Sequence, residues 1–391
     1  MGFPVLTAVA LYIIIRYLFY KKVSHLTIIL LLLLTVVGGL AVYYYRFIRR
    51  SFLALGMAVS LWRNRLIIAL LTVALLGSCY VFPVMILALL HLLLCNELCR
   101  LIHRLLRKLT KKEPKFRLKL HRSGAVPVLL TAAILLFGYY NMHHVVQTDY
   151  RLTSPKLEQA YRVALLSDLH YGVSLDGQEL EALCREISAQ EPDVVILCGD
   201  LVDNNTTYGQ MEELFRTLGT IESTCGTYYV YGNHDRPFYG LESAFDDADL
   251  RHHMSAAGIT VLQDTVLPLA EDLTLIGRED RSRNGREALS DLLSQADPDS
   301  FLLVLDHQPC EYGENAALGT DLLLSGHTHG GQIWPANLFD KLLHFNDANY
   351  GLTVLDENRH ALVTSGIAGW LWPIKTSAPS EYVIIDLQPL T

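Results

Sequence analysis

Val194-Val195-Ile196-Leu197-Cys198-Gly199-Asp200-Leu201-Val202-Asp203 reads as an apolar strand that ends at a glycine and delivers two carboxylates. The arrangement recurs along the last 230 or so residues. Asp168-Leu169-His170 comes after Val163–Leu166, and Gly232-Asn233-His234-Asp235 ends the run that starts at Thr227. His307 follows Phe301–Leu305, and Gly326-His327-Thr328-His329 follows Asp321–Leu324. Every motif supplies Asp, His or Asn at the end of a chain segment suited to a strand.

Those residue types suit a pair of small hard-to-borderline cations. Two metals about 3.5–4 Å apart clamp a phosphoryl group and bring the pKa of a shared water near neutrality. A bridging position needs a carboxylate with two oxygens. Imidazole suits Zn, Fe or Mn, and an amide oxygen such as that of Asn233 completes a shell without adding charge. No thiolate is involved, which fits a labile catalytic centre better than a closed structural zinc site. In extended chain, alternate side chains share a face, so Asp168 with His170, and His327 with His329, are expected to reach one site by alternation.

With these motifs in this order, the segment from about Tyr161 onward resembles the calcineurin-like metallophosphoesterases. It is most similar to their bacterial membrane-associated branch, through Gly326-His327-Thr328-His329-Gly330-Gly331-Gln332. The resemblance implies a four-layer α/β/β/α sandwich with two divalent or trivalent metal ions (Mn, Fe or Zn) at the carboxyl ends of the strands. It implies that Asp168, His170 and His329 hold one metal, that Asn233, His307 and His327 hold the other, and that Asp200 bridges them. His234 is then the proton donor to the leaving oxygen, and Asp203 the carboxylate that orients it. Asn204 stands where the protein-phosphatase branch has an arginine, which argues against a phosphoserine substrate. The tail reads Pro373-Ile374-Lys375 and Pro379-Ser380-Glu381 where branch members have Pro-Ile-Arg and Pro-Pro-Glu. Lys375 is a candidate phosphate contact or a solvated lysine. Arg278, Arg281, Arg283 and Arg286 are expected to form a solvated basic loop.

Charge divides the chain in two. Residues 1–150 hold 18 Lys+Arg and 3 Asp+Glu, whereas residues 151–391 hold 14 and 37, for a total net charge of −8. The first part carries uncharged runs, Leu26–Tyr45 and Leu66–Cys95, each reaching the roughly 20 residues that cross a bilayer. Val5–Tyr20 and Ala125–Tyr140 are shorter candidates; the former lacks the basic lead and cleavage site of a signal peptide. The expectation is four spans, or five if the run after Leu66 bends back at Pro83. With four, the basic loops place the catalytic domain outside the cytoplasm, and an odd count is read as moving it inside. From Asn96 to Arg122, leucines at three- and four-residue spacing opposite Arg and Lys predict an amphipathic helix suited to anionic membrane lipids. The acidic second part excludes a nucleic-acid partner, and the seven cysteines form no disulfide framework.

The organisation expected is therefore a multi-span membrane region over 1–145, a linker over 146–160, and a catalytic α/β domain over 161–391. Helices are predicted at Gln178–Gln190 and Tyr208–Ile221, with a late hairpin of Leu352–Leu355 and His360–Thr364 and a closing strand Tyr382–Asp386. The functional expectation is a membrane-anchored phosphoesterase acting on a lipid-linked phosphodiester, phosphomonoester or diphosphate. The branch resemblance adds one alternative, cleavage of UDP-2,3-diacylglucosamine in lipid A synthesis. Another is a membrane protein whose soluble domain is a non-catalytic regulatory module.

Overall fold

A computed structural model describes residues 25–81, 84–110, 123–236, 243–343 and 345–390. The chain divides into two compact units, Met1–Ala133 and Ile134–Thr391.

The first unit is helical: α1 (His25–Ala54), α2 (Trp62–Val81), α3 (Val84–Thr110) and the start of α4 (Ala125–His143). Among the described residues, Trp62–Cys79, Val84–Thr110 and Ala125–His143 are long and apolar enough to cross a membrane. Helix α1 carries the uncharged run Leu26–Tyr45, and Val5–Tyr20 lies outside the described residues. The run Leu66–Cys95, read as one span, is two helices, α2 ending at Val81 and α3 starting at Val84. The sequence reason is Pro83, which lacks an N–H and disfavours helix in the residue before it. Between α1 and α3 the polar groups satisfy each other: Tyr43 Oη donates to Glu97 at 2.9 Å and Arg50 to Asn96 at 2.6 Å. Beyond Glu97, α3 exposes Leu98, Leu101, Ile102, Leu105 and Leu109. The rest of the expected amphipathic segment, 111–122, lies outside the described residues.

The second unit is built on two six-stranded mixed sheets. The first contains β1 (Val145–Ser154), β2 (Tyr161–Leu166), β3 (Val194–Cys198), β4 (Thr227–Val230), β5 (Ile259–Val261) and β12 (Ser380–Pro389), in the order β1-β12-β2-β3-β4-β5. The second contains β6 (Thr265–Pro268), β7 (Leu273–Gly277), β8 (Phe301–Leu305), β9 (Leu322–Ser325), β10 (Gly351–Val354) and β11 (His360–Val363), in the order β10-β11-β9-β8-β7-β6. Strands β2, β3 and β4 run parallel, as do β7, β8 and β9. Every residue of β3 and β8 is buried, as expected for inner parallel strands covered on both faces.

Three apolar clusters define the layers. Val163, Leu165, Ile196, Leu275, Leu303 and Leu324 pack between the sheets. Helices α5 (Gly177–Ser188), α6 (Tyr208–Leu218) and α7 (Asp247–Ala256) cover the outer face of the first sheet through Leu183, Ile187, Leu214 and Met254. The short α8 (Leu289–Leu293) and α9 (Tyr312–Leu318) cover the second through Leu289, Leu292 and Tyr312. This is the four-layer α/β/β/α sandwich. Each fully buried Leu, Ile or Val contributes about 1.5–3 kcal/mol. Helix starts are fixed by capping boxes at Asp176 with Glu179, Thr207 with Gln210, and Asp246 with Asp249.

One segment differs from the sequence expectation. Residues 146–160, read as a linker, begin with edge strand β1, which pairs with β12 over ten positions from Val145↔Ser380 to Ser154↔Pro389. Its polar, half-exposed residues gave no alternation to read. What holds it is the row of backbone bonds offered by β12, a partner more than 230 residues away in sequence.

Candidate metal centre

The five motifs lie at the carboxyl ends of β2, β3, β4, β8 and β9, three from one sheet and two from the other. Backbone bonds lock the loops together: Asp168 N–H to Gly199 O at 3.0 Å, His170 N–H to Asp200 O at 3.1 Å, and Gly326 N–H to His307 O at 3.0 Å. Two clusters result. Asp168, His170 and His329 bring donor atoms within 4.8 Å of one another, and so do Asp200, His307 and His327. Asp200 Oδ2 lies 3.1 Å from His307 Nε2 and 3.8 Å from His170 Nε2, facing both groups. Asn233 Oδ1 sits 2.8 Å from His327 Nδ1.

The expected alternation along extended chain is not how the pairs are gathered. Asp168, His170, Asp200, His327 and His329 all have positive φ, between 38° and 71°. Each occupies the left-handed region that costs a non-glycine residue energy and that clusters at functional sites. Sharp turns after the strands, in place of alternation, aim both members of each pair inward. Gly232 is required by packing: a Cβ there would collide with the backbone N and carboxylate of Asp200.

The donor set fits metal ions on an observation independent of motif matching. Both ring nitrogens of His170, Nε2 of His307 and Oδ2 of Asp200 are buried without a hydrogen-bond partner. Such orphaned atoms are costly unless something else satisfies them. The remaining nitrogens are used to aim the rings. His307 Nδ1 donates to Cys198 O at 2.7 Å and His329 Nδ1 to Ala368 O at 3.2 Å, leaving Nε2 of each ring free as a ligand.

Electrostatics agree. Burial drives His170 well below the ordinary imidazole range, His327 to about 3 and His329 to about 4, so all three present neutral lone pairs. Burial raises Asp200. Burial opposes a charge on His307, but the adjoining Asp200 carboxylate wins and lifts it well above the usual value. The 3.1 Å space between Asp200 Oδ2 and His307 Nε2 is where a cation would sit.

Other residues fall differently from expectation. Asp203 accepts from Asn205 N–H at 2.7 Å and lies 3.8 Å from His170 Nδ1, so its carboxylate addresses His170 and makes no hydrogen bond to His234. His234 donates its backbone N–H to Asp200 Oδ1 at 2.7 Å, and its ring packs against His170 and, at 4.9 Å, Trp370. Lys375 is neither solvated nor open to substrate. It is fully buried, its Nζ donating to the carbonyls of Ser365, Gly366 and Ala368, and so it fixes the carbonyl that orients His329. The arginine loop is divided: Arg281 is exposed, whereas Arg278 pairs with Asp306 at 3.3 Å and Glu311 at 2.8 Å, and Arg286 with Asp306. This network braces the residue beside His307. Sequence reading gave no role to Asp235, whose buried carboxylate accepts from the backbone N–H groups of Asp200, Leu201, Val202 and Gly232 at 2.8, 2.8, 3.2 and 2.7 Å. Only its position after Asn233-His234 hinted at it. A cavity of about 300 Å³ opens beside His327 and His329, lined also by Gln332, Ile333, Asn346 and Asn349.

Residues 161–331, which contain all of these ligand candidates, match the family model of the calcineurin-like phosphoesterases. The chain carries a calcineurin-like metallophosphoesterase domain. A metallophosphoesterase of uncharacterised activity from Campylobacter jejuni is 32% identical over 238 residues, covering 60% of this chain and 61% of its own. A Bos taurus transmembrane protein with a metallophosphoesterase domain is 27% identical over 293 residues, 69% of this chain and 63% of its own. The chain thus spans about three fifths of the length of these curated relatives. A solved Danio rerio dimetal phosphatase superposes with a TM-score of 0.34 at 13% identity, covering 54% of this chain and 88% of that one.

Proposed function

We propose that this protein is a membrane-anchored, dinuclear-metal phosphoesterase acting on a phosphate ester or diphosphate carried by a lipid. The observation that carries the reading is the pair of buried ligand clusters with Asp200 facing both and its neighbours' lone pairs unsatisfied. In this reading Asp168, His170 and His329 hold one ion, Asn233, His307 and His327 the other, and Asp200 bridges. Bound there, the metal pair supplies Lewis-acid activation of a phosphoryl oxygen and of a water. His234, at the open edge of the clusters, donates a proton to the leaving oxygen. The carbonyls of Cys198 and Ala368 hold the His307 and His329 imidazoles in place, and the Asp203 carboxylate lies 3.8 Å from His170 Nδ1. Lipid linkage is supported by the spanning helices next to the domain.

Full-length protein in detergent, stripped with a chelator and reloaded with Mn²⁺, tests this against bis-p-nitrophenyl phosphate. The expected result is loss of hydrolysis on stripping, return on reloading, and close to two ions per chain by elemental analysis. Because imidazole and carboxylate bind metal only when deprotonated, loading should weaken as pH falls. Undiminished hydrolysis by stripped protein would overturn the metal-dependent reading, and less than one ion per chain without hydrolysis would favour a non-catalytic module.

An outward-facing catalytic domain is supported by the distribution of basic residues between the helices. If α1 to α4 are four successive crossings, Arg46, Arg49, Arg50, Arg63 and Arg65 share one side with the ten basic residues between 100 and 122. Lys21 and Lys22 share the other side with the phosphoesterase. That is 15 basic residues against 2, so the catalytic domain is outside the cytoplasm. An extra crossing does not bring the domain inside, because dividing the run at Pro83 also moves the five-arginine loop to the side of the ten. Alkaline phosphatase fused after Thr391 should be active and a fluorescent protein fused there dark. The reverse pattern would put the domain in the cytoplasm.

A further inference from the structure

Two stretches beside the metal centre stand apart from the acidic unit around them. Residues 330–345 contain only Asp340 and Lys341 as charges and residues 366–376 only Lys375, within a part of the chain whose net charge is −23. They present Trp334, Leu338, Leu342, Leu343, Phe345 and Leu371 to solvent, with Leu342 71% and Phe345 69% exposed. The first four follow one another along the approach to and length of α10 (Ala336–Leu343). The two stretches are stitched together by Trp334 N–H to Thr376 Oγ1 at 2.9 Å and Trp370 N–H to Gln332 Oε1 at 3.0 Å. An apolar rim of this kind on a folded domain marks an interaction surface.

The rim is fastened to the last turns of α4. Lys375 N–H donates to Gly138 O at 3.0 Å, and Asn141 Nδ2 donates to Lys375 O and Ala378 O, both at 2.8 Å. The approach is so close that a Cβ at Gly138 would lie 2.5 Å from the methyls of Ile374 and Thr376. Around this contact α4 exposes Leu136, Phe137, Tyr139 and Tyr140. Paired tyrosines at the end of an apolar helix belong at the headgroup level of a bilayer. A rim bonded to those turns meets the same layer. It also borders the chemistry, since exposed Trp370 lies against His234.

We propose that this rim seats in the interfacial layer of the bilayer that α4 enters, so that the metal centre takes its phosphoester laterally from the membrane surface. The occupant is the lipid surface itself. The inference rests on the membrane anchoring proposed above and is tested without reference to catalysis.

Full-length protein with Trp62→Phe and Trp372→Phe, leaving Trp334 and Trp370 as fluorophores, is placed in nanodiscs of phosphatidylcholine with or without bromine near the headgroup end of the acyl chains. Side chains seated about 5–10 Å into the interface should lose roughly twofold or more of their emission to bromine. The triple variant Leu338→Glu, Leu342→Glu, Phe345→Glu should abolish that quenching while retaining hydrolysis of bis-p-nitrophenyl phosphate in detergent, which also shows that it folds. Emission indifferent to bromine in the parent chain overturns the proposal. If in addition the triple variant turns a dimer into a monomer by mass photometry, the rim pairs two copies of the chain. Quenching without any hydrolysis would leave the rim standing and remove the catalytic reading.

Discussion

Replacing Asp200 by Ala will lower hydrolysis of bis-p-nitrophenyl phosphate about a thousandfold or more, since loss of a single preorganised hydrogen-bond donor already costs about 10²–10³. Among the described residues, Asp200 is the carboxylate that faces both clusters, at 3.1 Å from His307 and 3.8 Å from His170. Without it neither cluster retains a shared anion, and two cations brought close together repel with nothing between them. The stripped variant should fold: its missing carboxylate was itself unfavourable to bury, as its raised pKa shows. What it should lose is the gain in thermal stability on adding Mn²⁺, which for an ion at about 100 times its Kd amounts to about 2.7 kcal/mol. Asp200→Asn keeps an acceptor for His234 N–H, so it separates the loss of charge from the loss of that bond. A variant turning over within tenfold of the parent would move the bridging role to another residue.

Asp235→Ala should fail in the opposite way, by unfolding. Four buried N–H groups converge on its carboxylate, those of Asp200, Leu201, Val202 and Gly232. Each donor left unpaired costs about 1–3 kcal/mol, so even with partial relaxation the loss is about 4 kcal/mol or more. Domains of this kind are stable by about 5–15 kcal/mol, which makes that a large share. Asp235→Asn offers one oxygen and turns an amide toward donors, so it should fall between. Thermal unfolding of the detergent-solubilised protein, with metal present, reads the effect. Asp235→Ala within about 1 kcal/mol of the parent, with full metal content, would mean that the turn after β3 holds itself without the carboxylate.

The sequence disclosed what side-chain chemistry dictates and concealed what backbone geometry dictates. Strands β3 and β8 could be bounded to the residue because Val194–Cys198 and Phe301–Leu305 are unbroken apolar runs. Strand β1 could not, because Val145–Ser154 is polar and its partner lies at the far end of the sequence. The division at Pro83 was legible as a possibility, since proline announces a helix boundary without saying whether the chain turns there. In the site, Asp, His and Asn could be named by what cations require. That five of them gather through left-handed turns could not be read, because φ leaves no letter in a sequence. Lys375 and Asp235 escaped for one reason: their partners are carbonyls and N–H groups, which every residue has. The arginines at 278 and 286 looked like surface charges because Asp306, their partner, is twenty or more residues away.

Strand β12 carries a consequence for how the molecule is made. It is the last strand in the chain, yet it lies inside the first sheet, with β1 on one side and β2 on the other. A ribosome releases β1 and β2 long before residues 380–389 exist, so during synthesis those two strands face a gap that nothing yet can fill. The sheet, and the ligand loops hung from it, close only after the final strand arrives. Pairings this distant in sequence form late and slowly. Under the outward orientation proposed above, that delay would be useful: the segment stays threadable until residues 380–389 have passed, and the centre assembles where it is to work.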